Sequence, residues 1–487
     1  MKNTTRILAL LLALVLTMGL GVTAFADGTN TITVKNAVSG QRYELYKILD
    51  LAVNDDHTAY SYTVNSEWAG FFKAAENDTP AGKGLTYVKI DSQGYVTWKE
   101  DADVAAFAKD AEEFAKSLNA LADITADKDG DITFSNLDAG YYLVTSTLGT
   151  KATVGTTPST PNPVIQEKNE VPSNVKTVEE DSTGKYGSTN DADIGQTVNF
   201  KSTITAQPGA ENYVFEDTMS VGLTYKNDAK VYTNEAMTTE LAAANYTVNN
   251  NPSDGKTFTI TFTQSYLDTI TAETKLYVKY SATLNKDAVV GLSGNENKST
   301  LKYGDSTNTK STPDSKTTTY TWDLGILKYG NNDETKVLKD AKFVLLNKDN
   351  TKVATIANGK LTGWVDVPAT SGDGTTTWSD NAILTTDANG KIEIDGLDAD
   401  TYYLREIEAP AGYNKLAEDF KVVINGATKE ESGNLTYTTV TAEVNNQSGT
   451  QLPSTGGVGT TVFYVLGGIL AVGAAVLLIA RKRAGRA

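Results

Sequence analysis

The chain has 487 residues, no cysteine, and 60 Asp and Glu against 43 Lys and Arg, a formal net charge of −17. That excess of negative charge argues against nucleic acid or an anionic membrane surface as a partner. With a single histidine, His57, histidine-based metal sites and Ser-His-Asp chemistry are excluded, and no cofactor or metal is expected.

Lys2 and Arg6 precede the apolar run Ile7–Leu20, and Ala24, Phe25 and Ala26 have the small-x-small form of a signal-peptidase site. Residues 1–26 therefore read as a signal peptide, and the mature chain is expected to start near Asp27. An exported chain of this length without disulfides must draw its durability from another source.

From there the pattern is mostly period two. Val198–Ile204, Lys256–Phe262, Leu276–Tyr280 and Phe420–Ile424 are rich in β-branched and aromatic residues, with Asn, Asp, Gly and Ser between such runs. Short strands at this spacing point to an all-β chain of tandem immunoglobulin-like sandwiches. Asp103–Leu121 is the exception: Val104, Phe107, Ala111, Phe114 and Leu118 recur at helical spacing, which predicts a helical insertion in the first domain.

An internal repeat ties the ends together. Asp127–Leu143 (DKDGDITFSNLDAGYYL) echoes Asp387–Leu404 (DANGKIEIDGLDADTYYL), with one residue inserted in the second copy. Asp127, Asp129 and Asp131 start like a calcium loop, but position 6 is not glycine and position 12 is Asp138 rather than glutamate, so a hairpin turn is expected. Thr156–Pro163 is rich in Pro, Thr and Ser, and Ser306–Thr319 is polar with Pro313 inside it. Read as linkers, they give three units: 27–170, 171–313 and 314–450.

The chain closes with Leu452, Pro453, Ser454, Thr455 and Gly456, an apolar span over 461–480, and a basic tail over 481–487. About 20 apolar residues cross a bilayer as a helix, and the basic residues hold that end in the cytoplasm. LPSTG in this setting resembles the LPxTG sorting signal of Gram-positive surface proteins. The resemblance implies that a sortase cleaves between Thr455 and Gly456 and passes the threonine carbonyl to an amine.

A second resemblance covers most of the chain. Tyr402–Tyr413 (YYLREIEAPAGY) is similar to the E-box, YxLxETxAPxGY, of CnaB-type domains in sortase-assembled pilins. Asp193–Phe200, Phe215–Tyr225 and Asn297–Tyr303 are similar to the middle domain of such backbone pilins. The resemblance implies a structural pilus subunit rather than an enzyme. Its domains are closed by spontaneous Lys–Asn isopeptide bonds, each assisted by a buried Asp or Glu. The implied pairs are Lys328 with Asn446, catalysed by Glu406, and Lys176 with Asn297, catalysed by Asp217. Asn445 rivals Asn446, Asn295 rivals Asn297, and Glu216 stands beside Asp217.

In the repeat alignment Thr145 takes the place of Glu406. Threonine cannot carry the proton, so no bond by this route is expected in the first unit, although Lys35 or Lys47 could pair with a carboxyl elsewhere. The family's inter-subunit acceptor is a lysine in a YPK-like motif between the first two domains. Lys168 holds that place, with Gln166 and Glu167 instead of Tyr and Pro; Lys176 and Lys185 are alternatives. The implied partners are a pilin-type sortase, a housekeeping sortase, further pilin subunits and peptidoglycan. The implied location is the cell wall, after a transient membrane anchor. The competing readings are a monomeric wall-anchored adhesin, which would form no covalent ladders, and a minor or basal pilin. An external enzyme is the weakest reading, because no carboxylate pair has a recognisable catalytic frame.

Overall fold

The computed structural model describes residues 28–53, 59–75, 82–304, 308–372, 376–429 and 434–449, together with residues 470 and 474. The signal peptide, the 452–456 sorting signal, the basic tail and all of the 461–480 span except residues 470 and 474 lie outside the described residues. Among the described residues no helix is long and apolar enough to cross a membrane. The described chain is mainly β-sandwich and divides into two compact units. The first comprises 28–192, 196–289 and 293–320; the second comprises 193–195, 290–292 and the residues from 321 onward.

The first unit holds two sets of sheets. Among the described residues, no strand ladder joins residues 30–166 to residues 173–320. In the N-terminal set, β1 (Asn30–Ala37) pairs with β3 (Gly130–Leu137), and β2 (Arg42–Val53) pairs with β4 (Gly140–Ser146), which in turn pairs with β5 (Lys151–Thr156). The two sheets enclose Ile32, Val34, Tyr43, Leu45, Phe134, Tyr142 and Val144. The other face of the β2–β4 sheet is covered by Trp68, Phe71 and the helix α1 (Val104–Ala115), around Ile48, Phe107 and Leu143. A sheet buried on both faces reads as a nearly unbroken apolar run, as Tyr141–Val144 does. Asp103 caps α1 by accepting from the amides of Ala105 and Ala106, both at 3.0 Å. The helix ends at Ala115, where the Ser117 hydroxyl turns back onto the Phe114 carbonyl at 2.7 Å.

Both expected linkers are corrected. After Thr156–Pro163 the chain returns as β6 (Val164–Gln166), parallel to β1, and leaves the N-terminal sheets only after Gln166. The prolines lack N–H groups, but the Pro161 and Pro163 carbonyls accept from Thr31 and Thr33, each at 3.2 Å, so the segment lines a strand edge. The tail of Ser306–Thr319 is likewise strand: Thr317 to Thr319 are β-branched, and they sit in a strand of the next sandwich.

That next sandwich stacks a sheet of β7 (Ser173–Glu180), β8 (Thr197–Ala206) and β10 (Thr274–Leu284) on a sheet of β9 (Val214–Met219), β11 (Asn295–Tyr303) and β12 (Ser315–Tyr320). Inward residues alternate strictly along β8, burying Val198, Phe200, Ser202, Ile204 and Ala206.

In the second unit, β13 (Trp322–Gly330) pairs antiparallel with β15 (Lys391–Leu397) and parallel with β17 (Val440–Asn446), while β14 (Lys342–Leu346) pairs with β16 (Thr401–Glu408). Trp322, Leu324, Ile326, Phe343, Leu345, Ile394, Leu404 and Val444 form its interior.

The repeat does not fold as a hairpin. β3 pairs with β1 whereas β4 pairs with β2 and β5; β15 and β16 do not pair with each other either, although both belong to one sheet. In both copies a tyrosine hydroxyl donates to the carbonyl four residues back, Tyr142 to Asp138 at 2.7 Å and Tyr402 to Asp398 at 3.0 Å. This equivalence removes the inserted residue, because adjacent tyrosines had allowed two alignments. Ser146, not Thr145, therefore holds the place of Glu406.

Candidate functional site: two buried amine, acid and carboxamide clusters

On β7, Asn174, Lys176 and Val178 point inward, so a lysine occupies a core position. Lys176 is 3% exposed, and Asp217 on β9 and Asn297 on β11 are both 0% exposed. The Lys176 amine contacts Asp217 Oδ2 and the Tyr280 hydroxyl. It lies 4.9 Å from the Tyr280 ring centroid and 5.6 Å from that of Phe200. Tyr280 donates to Asp217 Oδ2 at 2.5 Å and accepts from Asn297 Nδ2 at 3.4 Å. Asn297 Oδ1 and Asp217 Oδ1 are buried with no partner. Burial pushes the Lys176 amine below its ordinary range, against the pull of Asp217, and pushes the Asp217 carboxyl above its own. Both shifts favour the neutral forms.

The rivals are separated by what they bond. Asn295 is buried too, but its Oδ1 accepts from Val289 N at 2.9 Å and its Nδ2 donates to the Val289 and Thr319 carbonyls at 3.1 and 3.2 Å. Glu216 faces the other side of β9, where it pairs with Lys256 at 3.3 Å and Lys302 at 2.5 Å.

In the second unit Lys328 takes the next inward place after Trp322, Leu324 and Ile326, and it is 0% exposed. It lies opposite Val444, and Asn446, two residues on, shares its face. Lys328 Nζ donates to the Val444 carbonyl at 3.0 Å. Asn446 Nδ2 donates to Glu406 Oε1 at 2.8 Å and Oε2 at 3.0 Å; Glu406 Oε2 also accepts from Leu416 N at 2.7 Å. Asn446 Oδ1 is buried without a partner. Burial lowers the Lys328 amine to about 8, with Glu406 opposing. Asn445 points the other way and bonds Asn332, accepting from its amide at 2.9 Å and donating to its Oδ1 at 2.8 Å.

Among the described residues the N-terminal sheets hold no such cluster of amine, acid and carboxamide. Lys35 pairs with Asp131, and Lys47 pairs with Asp50 at 2.8 Å. Val34 opposes Ile132 and Ile165 just as Ile326 opposes Ile392 and Ala442, but a bulge follows it: Asn36 is exposed at a φ of +56°, and the next inward residue is Ala37, where β13 has Lys328. Lys168 follows β6 and is exposed, as is Lys185, whereas burial rules out Lys176 as an amine that an enzyme cleft could reach. Tyr280 was missed in the sequence, where it reads as one more core aromatic; its signal was a hydroxyl on an inward strand position, which requires a partner. Among the described residues no group of three His, Cys, Asp or Glu side chains could hold a metal.

Three family models match the chain in succession. Residues 194–307 match the Gram-positive pilin backbone subunit 2, Cna-B-like domain. Residues 323–439 match the SpaA prealbumin-like fold domain, and residues 444–484 match the LPXTG cell wall anchor motif. A search of curated proteins gave no match. Among solved structures, the chain is similar to the T6 backbone pilin of serotype M6 Streptococcus pyogenes, at 14% identity and TM-score 0.55, covering 88% of this chain and 100% of that one. This likeness is one of fold. The full-length major pilin SpaD of Corynebacterium diphtheriae gives 19% identity and TM-score 0.49, over 86% and 98% of the two chains. The group B streptococcus pilus 2b backbone protein gives 27% and 0.40, over 57% and 99%. With a Gram-positive pilin backbone domain, a SpaA prealbumin-like domain and an LPXTG cell wall anchor in succession, the chain is a pilus backbone subunit, a structural protein that is secreted and attached to the cell wall.

Proposed function

We propose that this subunit is welded internally at two sites and polymerised at a third. In each internal site the neutral lysine Nζ attacks the asparagine Cγ. The buried acid, protonated, polarises the carboxamide oxygen and carries the amine proton to the departing nitrogen. Ammonia leaves, an amide joins Lys176 to Asn297 or Lys328 to Asn446, and Asp217 or Glu406 ends as it began. The observation that carries this reading is the unpartnered buried carbonyl oxygen of each asparagine, set in the same cluster as a buried amine and a buried acid. A buried lysine that stayed ionised would be costly, and condensation removes it.

The N-terminal β module, ending near residue 170, carries no such bond, since Ala37 and Ser146 supply neither amine nor acid. The second module runs to Tyr320 and the third from 321 to about 450.

Polymerisation uses the other amine. A pilin-type sortase takes Thr455 as a thioester on its own cysteine, and Lys168 of a second subunit displaces it to give a head-to-tail, heterologous fibre. A housekeeping sortase passes the last Thr455 to peptidoglycan. Lys168→Arg keeps the charge but removes the usable amine: high-mass ladders on denaturing gels should disappear, and their persistence would refute the assignment.

A further inference from the structure

We infer that Glu167 is the positioning residue of the intermolecular acceptor, an inference that rests on Lys168 being that acceptor. Glu167 is 4% exposed, while the residues on either side of it are exposed. One carboxylate oxygen, Oε1, accepts from the backbone amides of Lys168 and Asn169, both at 2.9 Å, and from Thr150 Oγ1 at 2.5 Å. Oε2 accepts from Ser146 Oγ at 3.0 Å. Asn169 adds a second tie, donating to the Leu148 carbonyl at 3.0 Å.

The turn that receives these bonds is itself fixed. Gly149 has a φ of +82°, and a Cβ there would lie 1.8 Å from the Gly209 carbonyl oxygen, so no other residue fits. The backbone on both sides of Lys168 is thus fastened to a rigid turn. Lys168 Nζ has no hydrogen-bond or ion-pair partner among the described residues, and its side chain is exposed. An amine that must meet an enzyme-bound thioester gains from a fixed base and a free tip, because the ordering is completed before encounter. Proline would stiffen this position through its ring; here a buried carboxylate stiffens it through hydrogen bonds.

The test uses the full chain exported beside its pilin-type sortase, with each subunit serving as both donor and acceptor. Glu167→Ala should lower the rate of ladder growth roughly tenfold or more, the scale expected for a misplaced nucleophile. Cleavage at Thr455 and attachment of single subunits to the wall should continue at the wild-type rate. Glu167→Gln, whose carbonyl oxygen still accepts the two amides, should recover most of the loss. A defect in folding would depress the donor and acceptor arms together. Thr150→Val, which trims one anchor bond without touching Glu167, guards against that outcome and should slow ladders alone. Normal ladder growth in folded Glu167→Ala or Thr150→Val chains would overturn the inference. Ladders from Lys168→Arg would instead overturn the acceptor assignment beneath it.

Discussion

At the scale of single residues, burial alone does not find the reacting groups. Asn295 and Asn297 are buried almost equally, but one has every polar atom bonded and the other keeps an oxygen open. The sequence could propose both but could not separate them, because the bonds that occupy Asn295, to the Val289 backbone and to the Thr319 carbonyl on the neighbouring strand, leave no mark in the residue pattern. Tyr280 joins Asp217 and Asn297 through one hydroxyl. Tyr280→Phe should therefore slow closure of the Lys176–Asn297 bond while the domain still folds, and Asp217→Ala should abolish it. Both are read from the loss of ammonia over time by intact mass. The Lys328 amine gives a pH prediction. Asn446→Ala leaves it free in the folded state with a pKa near 8, below the ordinary 10.5. Between those values the unfolded chain binds more protons, so the variant should gain stability as pH rises from about 8 to 10. The wild type, its amine consumed, should show no such gain in thermal melts.

At the scale of strands and helices, parity decides most of the outcome. The inward run of Trp322, Leu324, Ile326 and Lys328 carries into the core the lysine that only the family resemblance had singled out, and the parallel register with β17 places Asn446 on its face and Asn445 outside. That Asn445 and Asn446 must face opposite ways was legible, because a strand has a period of two. The linkers were not legible, since proline excludes a ladder donor but not an edge whose carbonyls accept. Nor was the absence of a hairpin within the repeat, because the partners of its strands lie far away in sequence. Helix α1 offers a further test. Its Glu112 lies 3.1 Å from Lys151, which also contacts Glu211. Burial first, then Glu211, raises the Glu112 carboxyl to about 8 despite Lys151. A raised carboxyl stabilises the fold at low pH and loses that contribution as pH climbs through 8. Glu112→Gln should flatten the pH dependence of melting between about 5 and 8; an unchanged slope would remove Glu112 from the explanation.

At the scale of the whole molecule, the proposed amides would take the part that disulfides cannot play in a chain without cysteine. Each proposed bond ties the entry strand of a sandwich to a late one, and the Lys328–Asn446 link closes a loop of roughly 120 residues, worth about 5 kcal/mol on the chain-entropy estimate. Its larger effect is on the unfolding rate, which governs survival under tension and protease. Lys176→Ala with Lys328→Ala should leave a folded chain that trypsin digests far faster than wild type. The tail's place in the account was legible from the start, because a sorting peptide, an apolar span and basic residues lie in that order.

The most direct measurement is the intact mass of the exported chain, compared with that of each lysine variant. The account predicts a deficit of two molecules of ammonia, falling to one in Lys176→Ala and in Lys328→Ala, with tandem fragmentation placing the links at Asn297 and Asn446. A wild-type mass equal to the uncondensed formula would contradict it.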